Sequence, residues 1–286
     1  MKGVFLSTTR NTGNYLDSIF KNINLLKEKV FSELVVCFFY DNSTDNTLEK
    51  LQEFKNIYGE KFNIIVNTEP LLQYRTHRLA LARNKLVEFV KNNYSDYEYF
   101  IMMDSDYICG YEINTNVLHE ALTLDTWDSL SFNRSGIDEA ANYDIWALQY
   151  EPFIHHCHSY TGGVHDVIHI MRPDITQKLN SLKDWELFEC YSAFNGFAIY
   201  RTNKFLNAVY DGETQLHFPI ERVNNMLNLF KQKYNLNITI NYDYVSMEHG
   251  GGKQNCEHIA FHLDAIRKNN AKIRITGKRI FTSKHF

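Results

Sequence analysis

Length, composition and charge already exclude several classes of protein. The chain has 286 residues, and its 20 Phe and 18 Tyr favour an ordered globule with a substantial core. A net charge of -4 gives no reason to expect nucleic acid or an anionic membrane surface as a partner. The five cysteines form no C-x-x-C pair, which indicates reduced thiols. We find neither a signal peptide nor a membrane-spanning apolar stretch, and we expect a cytoplasmic protein.

Apolar runs alternate with helical patterns through the first hundred residues. Strands are predicted at 4–7, 34–40, 62–67 and 97–103, and helices at 14–30, 48–58 and 74–93. This alternation is typical of βαβ units that build a Rossmann-like, mostly parallel sheet flanked by helices. Beyond residue 106 we predict loops, with strand-like runs at 129–133, 193–200 and 238–247 and helices at 220–234 and 257–268. We therefore predict one α/β domain over 1–286, with a first half over 1–110 and a loop-rich second half over 111–286.

An acidic triplet, Asp104-Ser105-Asp106, closes the apolar run that ends at Met103. Two carboxylates at the carboxyl end of a buried strand suit a hard cation such as Mn²⁺ or Mg²⁺, because such cations bind carboxylate and phosphate oxygens. D-x-D triplets are also common in turns. The position after a buried strand favours the metal site over the turn.

A second polar segment, which begins at Asp41, follows the run 34–40 and opens the next helix. Asp41 could hold a ribose or a base edge, or its neighbours could simply cap the helix. The first turn, which contains Thr8 and Arg10, lacks the G-x-G-x-x-G spacing. The missing spacing argues against a classical dinucleotide site.

Two arginines lie along the apolar stripe of the helix predicted at 74–93. At helical spacing, Arg75 and Arg83 share a face with Leu79 and Val90. A buried arginine without an anion is costly, so we expect these two to meet a carboxylate such as Asp104, a phosphate, or both. Reaching solvent from the ends of the stripe is the alternative. Arg78 points off the stripe, and a surface role is predicted for it.

Glu257 opens the helix predicted at 257–268, where a carboxylate is favoured by the helix dipole and could serve as a general base. Ordinary helix-start chemistry is the alternative. His258 and His262 have the i, i+4 spacing of a zinc pair but lack the intervening Glu of the metalloprotease motif. The histidines at 155, 156, 158, 165 and 169 also lack ligand-pair spacing, and we predict a polar cleft loop there.

Five segments together resemble glycosyltransferases of the GT-A fold, and more closely the fungal capsule-associated, cryptococcal-type mannosyltransferases. They occur in the expected order along most of the chain. The segments are Arg78-Leu79-Ala80-Leu81-Ala82-Arg83-Asn84, Asp104-Ser105-Asp106, Tyr143-Asp144-Ile145-Trp146-Ala147-Leu148, Cys190-Tyr191-Ser192-Ala193-Phe194-Asn195-Gly196-Phe197-Ala198-Ile199-Tyr200 and Cys256-Glu257-His258-Ile259-Ala260-Phe261-His262.

The resemblance implies an enzyme that moves a sugar from a UDP- or GDP-sugar to a hydroxyl acceptor such as a glycan. It implies that Asp104, Asp106 and the late His285 hold Mn²⁺ or Mg²⁺ on the diphosphate, with His258 and His249 as alternatives to His285. Glu257 matches the acidic base of inverting members, and in a retaining enzyme it would be structural or acceptor-binding. The expected donor contacts are Thr8, Arg10, Asp41, Arg75, Arg83, Asp104, Ser105, Asn195 and Gly196.

Aromatic side chains in the second half could stack on sugar C–H groups, although most large aromatics are core residues. We expect acceptor contacts from Trp146 and Tyr150, together with His258. Two rival functions remain at this point. A haloacid-dehalogenase-like phosphohydrolase also uses D-x-D after a strand, but normally after its first strand, and a non-catalytic relative would bind a nucleotide sugar or glycan without reacting.

Overall fold

A computed structural model describes residues 1–133, 143–155, 157, 160–161, 164–213, 215–240 and 253–284. The strands are β1 Lys2–Thr9, β2 Glu33–Tyr40, β3 Phe62–Val66, β4 Tyr99–Met103, β5 Tyr111–Ile113, β6 Ser129–Asn133, β7 Tyr160–Thr161, β8 Leu187–Glu189, β9 Phe197–Arg201, β10 Thr239–Ile240, β11 Ile273–Arg279 and β12 Phe281–Lys284. The α-helices are α1 Gly13–Lys29, α2 Thr47–Tyr58, α3 Arg75–Asn93, α4 Thr115–Leu122, α5 Val164–Ser181, α6 Thr202–Phe205, α7 Ile220–Tyr234 and α8 Glu257–Asn269.

One sheet of eight strands, in the order β3-β2-β1-β4-β9-β6-β11-β8, carries the fold. Strands β1 to β4 run parallel to their neighbours within this group, whereas β9 pairs antiparallel with both β4 and β6. Strands from both predicted halves of the chain therefore share one sheet. The predicted α/β class with a mostly parallel, helix-flanked sheet is confirmed.

Helices cover both faces of this sheet, which explains why its central strands are continuous apolar runs. Alternate residues of β1 enter different cores: Phe5 packs with α1 and α2, and Val4 and Leu6 pack with α3 and α8. All five residues of β4 are buried. The sheet is thus a rigid support for whatever its strand ends present.

The second half contains more regular structure than the sequence indicates. Helix α5 occupies a stretch that we predicted as loop, and that prediction is wrong. Its polar composition and the internal Pro173 obscure the helical pattern. The strand predicted at 193–200 begins only at Phe197, because Gly196 has a φ of +81° and turns the chain just before it. The strand predicted at 238–247 is described only as β10, and its remainder lies outside the described residues.

No helix among the described residues combines the length and apolarity needed to cross a lipid bilayer.

Candidate active site

The polar segments that follow β1, β2 and β4 meet at one edge of the sheet. These strands are parallel neighbours, so their carboxyl ends, at Thr9, Tyr40 and Met103, point the same way. Ligands of open α/β sheets bind at such an edge. The positions predicted from the sequence as ligand contacts in the first half, from Thr8 to Asp106, converge here.

Two adjoining cavities lie at this edge. The first, here called the strand-end cavity, has a volume of about 270 Å³ and is lined by Thr8, Thr9, Arg10, Thr12, Phe39, Asp41, Asn67, Pro70, Leu72, Arg75, Arg78, Leu79, Leu81, Ala82, Asp104, Ser105 and Asp106. The second, here called the central cleft, has a volume of about 560 Å³ and is lined by Gln73, Tyr74, Arg75, Arg78, Leu79, Arg83, Asp104, Asp106, Asp144, Trp146, Phe194, Gln254, Cys256, Glu257 and His258. Five residues line both and form the junction: Arg75, Arg78, Leu79, Asp104 and Asp106.

Asp41 lines the strand-end cavity and follows β2, which lies two strands away from β4, the strand that leads to Asp104. Its Oδ1 accepts a hydrogen bond of 2.8 Å from Asn67 Nδ2, and its Oδ2 lies 3.5 Å from Arg10 Nη1. Asn67 directly follows β3, so the amide comes from the neighbouring strand end. Together Asp41 and Asn67 present a carboxylate and an amide, which suits the polar edge of a base or a ribose.

The acidic triplet lies at the junction. Asp106 Oδ1 accepts hydrogen bonds from the backbone N–H groups of Ile108 and Cys109, and Asp104 Oδ1 accepts one of 2.8 Å from Arg83. Each carboxylate keeps a second oxygen that accepts no hydrogen bond from the described residues. Ser105 is buried between them, and its hydroxyl lies 2.6 Å from that of Ser7. The backbone of the triplet is therefore fixed while both carboxylates face the junction.

Electrostatics at Asp104 favour a bound cation. Loss of solvent raises the pKa of Asp104 to about 6, Arg83 opposes this rise and the Asp106 charge adds to it. A cation between the two carboxylates would remove their repulsion. Among the described residues, no group of three or more His, Cys, Asp and Glu could hold a metal ion. Within this part of the chain, the two aspartates are therefore a pair of candidate metal ligands and not a complete metal site.

Arg83 connects the junction to the inner wall of the central cleft. Its guanidinium binds Asp104 through Nη2 and forms an ion pair with Glu257 through Nη1, and its side chain is 3% exposed. The rings of Phe194 and Tyr210 lie 5.2 and 6.0 Å from its guanidinium carbon. The prediction that Arg83 meets a carboxylate such as Asp104 is confirmed.

The predicted surface role of Arg78 is wrong, because its side chain lines both cavities. Helix α3 begins at the cavity mouth, so the polar face of its first turn borders the junction. Arg78 donates hydrogen bonds to the carbonyls of Leu72 and Gln73. Burial, together with the charges of Arg10 and Arg75, lowers the pKa of Arg78. Positive charge is therefore concentrated at the junction, where it would favour a bound anion.

Glu257 and His258 open α8 at the inner wall of the central cleft, and both are 1% exposed. Trp146 also lines this cleft, whereas Tyr150 does not. Tyr150 is buried in the core, where its hydroxyl donates to Asp174 at 2.8 Å. This position does not fit the contact with an acceptor that the sequence suggested for Tyr150. The apolar ring simply packs better in the core than in the cleft.

Asn195 and Gly196 support the site from behind, and neither lines either cavity. The Gly196 carbonyl accepts a hydrogen bond of 2.9 Å from the Asp104 N–H. The Asn195 Oδ1 accepts one of 3.1 Å from the Asp144 N–H. These contacts tie the junction to the loop that carries Asp144.

The predicted polar histidine loop is wrong in part, because His165 and His169 belong to α5. His155 is buried, and burial lowers its pKa to about 4. His156, His158, His249 and His285 lie outside the described residues. The metal role predicted for His285 therefore stays a prediction.

Asn67, Asp144, Phe194 and Gln254 are among the lining residues to which the sequence assigned no role. Asn67 could have been found as a polar residue at a strand end, in the way Asp41 was. Asp144 and Phe194 reach the cleft only because β9 inserts beside β4, a pairing between distant parts of the chain. No local sequence pattern predicts this pairing.

The fold and the site together define a glycosyltransferase of the GT-A type. Residues 8–194 match the model of glycosyl transferase family 2, and the chain belongs to that family. This assignment excludes the haloacid-dehalogenase alternative. No curated protein matches the chain.

One solved structure supports the same fold, and two others are reported as similarities. Staphylococcus aureus TarS matches with a TM-score of 0.50 and 16% identity over 100% of this chain and 37% of that protein. TarS 1–349 in complex with UDP-GlcNAc matches with a TM-score of 0.49 and 15% identity over 100% of this chain and 59% of that one. Pyrobaculum calidifontis mannosyltransferase PcManGT, in complex with GDP-Man and Mn²⁺, matches with a TM-score of 0.33 and 17% identity over 45% of this chain and 34% of that one. The chain thus spans less than two thirds of the length of these structures.

Proposed function

We propose that this protein transfers a sugar from a UDP- or GDP-sugar to a hydroxyl acceptor, such as a glycan, with Mn²⁺ or Mg²⁺ at Asp104 and Asp106. One observation carries the proposal. Two aspartates and two arginines line the junction where the strand-end cavity meets the central cleft. A nucleotide sugar has its anionic diphosphate between nucleoside and sugar, so its charge pattern matches the order of the two cavities.

The strand-end cavity suits the nucleoside. Asp41 and Asn67 offer an acceptor and a donor, and Thr8 and Arg10 line the cavity with them. Apolar residues such as Leu81 and Phe39 also line the strand-end cavity. A planar base fits between such walls.

At the junction, Arg75 and Arg78 would neutralise the diphosphate, and Asp104 and Asp106 would hold the cation. The cation, when bound, supplies Lewis-acid stabilisation of the leaving diphosphate. Both terminal nitrogens of the Arg83 guanidinium bind carboxylates, and the side chain is 3% exposed. Arg83 therefore supports the site through Asp104 rather than by direct contact with phosphate. This refines the donor-binding role that the sequence suggested for Arg83.

The central cleft would hold the sugar and the acceptor, with Trp146 as a stacking surface. In an inverting reaction the acceptor oxygen bonds to the anomeric carbon, the bond from that carbon to the diphosphate breaks, and the acceptor proton passes to Glu257. Glu257 is the candidate base because it lines the cleft and is held by Arg83. In a retaining reaction Glu257 would be structural or acceptor-binding.

A thermal-shift panel tests the proposal. UDP, GDP, UDP-glucose, UDP-N-acetylglucosamine and GDP-mannose are each added with and without Mn²⁺. A ligand that binds the native state raises the melting temperature. We expect one nucleotide family to stabilise the protein, and more strongly with Mn²⁺. GDP-mannose as the best ligand would favour the mannosyltransferase relationship, and no shift with any ligand would contradict the proposal.

A donor that binds without reacting would indicate a non-catalytic relative. Release of nucleoside diphosphate from the stabilising donor, measured with a set of acceptor glycans, separates binding from transfer.

A further inference from the structure

Two histidines on α8, His258 and His262, are both buried but differ in their hydrogen-bond partners. His262 is fully satisfied: Nδ1 lies 3.0 Å from Ser192 Oγ and Nε2 lies 3.2 Å from Tyr200 OH. Neither ring nitrogen of His258 has a hydrogen-bond partner among the described residues. Its Nε2 lies 3.9 Å from Glu257 Oε1, which is beyond hydrogen-bond distance.

This difference is costly at His258. A buried polar group without a partner destabilises a protein, because it has lost its hydrogen bonds to water and gained none in return. The imidazole stacks on Phe194 at 3.7 Å between ring centroids with an interplanar angle of 16°. A phenylalanine at this position would keep the stack and avoid the unpaired nitrogens. Packing alone therefore does not account for a histidine here.

The ring of His258 is neutral. Burial, followed by the charges of Arg83 and His262, lowers its pKa well below the usual value. A neutral imidazole carries one N–H donor and one lone-pair acceptor. This combination matches a sugar hydroxyl, which both donates and accepts a hydrogen bond.

The position of His258 indicates which ligand group it meets. It lines the central cleft together with Asp104 and Glu257 but does not line the strand-end cavity. With the nucleoside in the strand-end cavity and the diphosphate at the junction, the next group of the donor along the same path is its sugar. A hydrogen bond in such an enclosed place counts more than one exposed to water.

We propose that His258 binds a hydroxyl of the sugar carried by the donor and positions that sugar beside Glu257. This assignment rests on the proposed function and adds a sugar-binding residue to it. It differs from a metal role for His258, and it replaces a contact to the acceptor by a contact to the donor sugar.

Calorimetry on His258→Phe tests the assignment without any need for an acceptor. UDP and GDP, and the sugar nucleotides of the panel, are titrated into wild type and variant with Mn²⁺ present. The quantity of interest is the affinity that the sugar adds to the nucleoside diphosphate. We expect this advantage to fall about five- to tenfold in His258→Phe, the equivalent of one lost hydrogen bond, while the affinity for the nucleoside diphosphate stays within about twofold.

Stability measurements separate this role from packing. We expect His258→Phe to melt at or above the wild-type temperature, because the variant no longer buries unpaired nitrogens. His262→Phe is the matched control, four residues along the same helix. It removes the ring nitrogens that lie within hydrogen-bond distance of Ser192 and Tyr200, so we expect it to melt lower than wild type. His258→Gln, which keeps a donor and an acceptor, should restore part of the sugar advantage.

Each other outcome is decisive. A His258→Phe variant that keeps the full sugar advantage, or that fails to fold, overturns the assignment. A wild-type protein that binds nucleoside diphosphates but gains nothing from the sugar also overturns it, while the nucleotide site stands. A wild-type protein that binds none of the panel contradicts the proposed function, and the assignment falls with it.

Discussion

The two cavities on either side of the junction hold their charges in different ways. In the strand-end cavity, the side chains of Arg10 and Asp41 are 38% and 14% exposed and lie 3.5 Å apart. At the wall of the central cleft, those of Arg83 and Glu257 are only 3% and 2% exposed and form a direct ion pair. An exposed pair contributes little to stability, whereas a buried charge that loses its partner is expensive. We infer that the first cavity serves binding alone, and that the charges of the cleft also hold the fold together.

The largest effect is expected from Glu257→Gln, a change at the wall of the central cleft. Transfer should fall by roughly 100- to 10,000-fold if Glu257 is the base, while affinity for the nucleoside diphosphate is retained. The rate is measured as nucleoside diphosphate released from the stabilising donor in the presence of acceptor.

The matched control for this variant is Glu221→Gln, because Glu221 is likewise in the first turn of its helix, α7, and is exposed. Normal turnover in Glu257→Gln would remove Glu257 from the base role.

Replacing Arg83 by Met should lower the stability of the protein more than replacing Arg10 by Met. The change leaves Asp104 and Glu257 without their shared counter-ion, so we expect the free energy of unfolding to fall by about 3–5 kcal/mol. Arg10→Met removes a more exposed arginine and should cost less than about 1 kcal/mol. The free energy of unfolding of both variants is measured by denaturant titration. Equal losses would contradict the difference between the buried charges of the cleft and the exposed charges of the cavity.

Asp106→Ala should act on binding at the junction. Changes to residues that support the direct ligands of a metal typically cost roughly 10- to 100-fold in affinity. Asp106→Ala removes a proposed direct ligand, so we expect the affinity for the nucleoside diphosphate with Mn²⁺ to fall by at least that much. Calorimetry with and without Mn²⁺ measures it. Asp184→Ala, whose side chain is 75% exposed beside Lys278, provides the control. An unchanged Mn²⁺-dependent affinity in Asp106→Ala would exclude Asp106 as a metal ligand.

The smallest effect is expected from Asn67→Ala in the strand-end cavity. Loss of this amide removes the partner of Asp41 and the proposed contact to the nucleoside, and we expect nucleotide affinity to fall about fivefold. The melting temperature without ligand should stay close to that of wild type, because Asn67 is only partly buried. A stability loss as large as that of Arg83→Met would contradict a role in binding alone.

The strand-end side of the site could be predicted from sequence because its residues directly follow strands with clear apolar runs. Asp41 and Asp104 were found in this way, and Arg83 was found from helical spacing. Each signal is local, and parallel strands bring such positions to one edge without further information.

The cleft side depends on pairings that no local pattern reports. The register Met103↔Phe197 joins residues far apart in the chain and puts Phe194 against His258. The aromatic content of the second half suggested Tyr150 as a contact to the acceptor, although its ring is needed in the core. Composition says which side chains exist, but only the fold decides which of them face the cleft.

In the proposed function, the junction binds a divalent cation together with a diphosphate. Anomalous diffraction from crystals grown with Mn²⁺ and UDP or GDP tests it most directly. We predict a manganese peak bound by Asp104 and Asp106, with diphosphate oxygens completing its coordination and the nucleoside in the strand-end cavity. Nucleotide bound elsewhere, or a diphosphate at the junction without manganese between these aspartates, would contradict it.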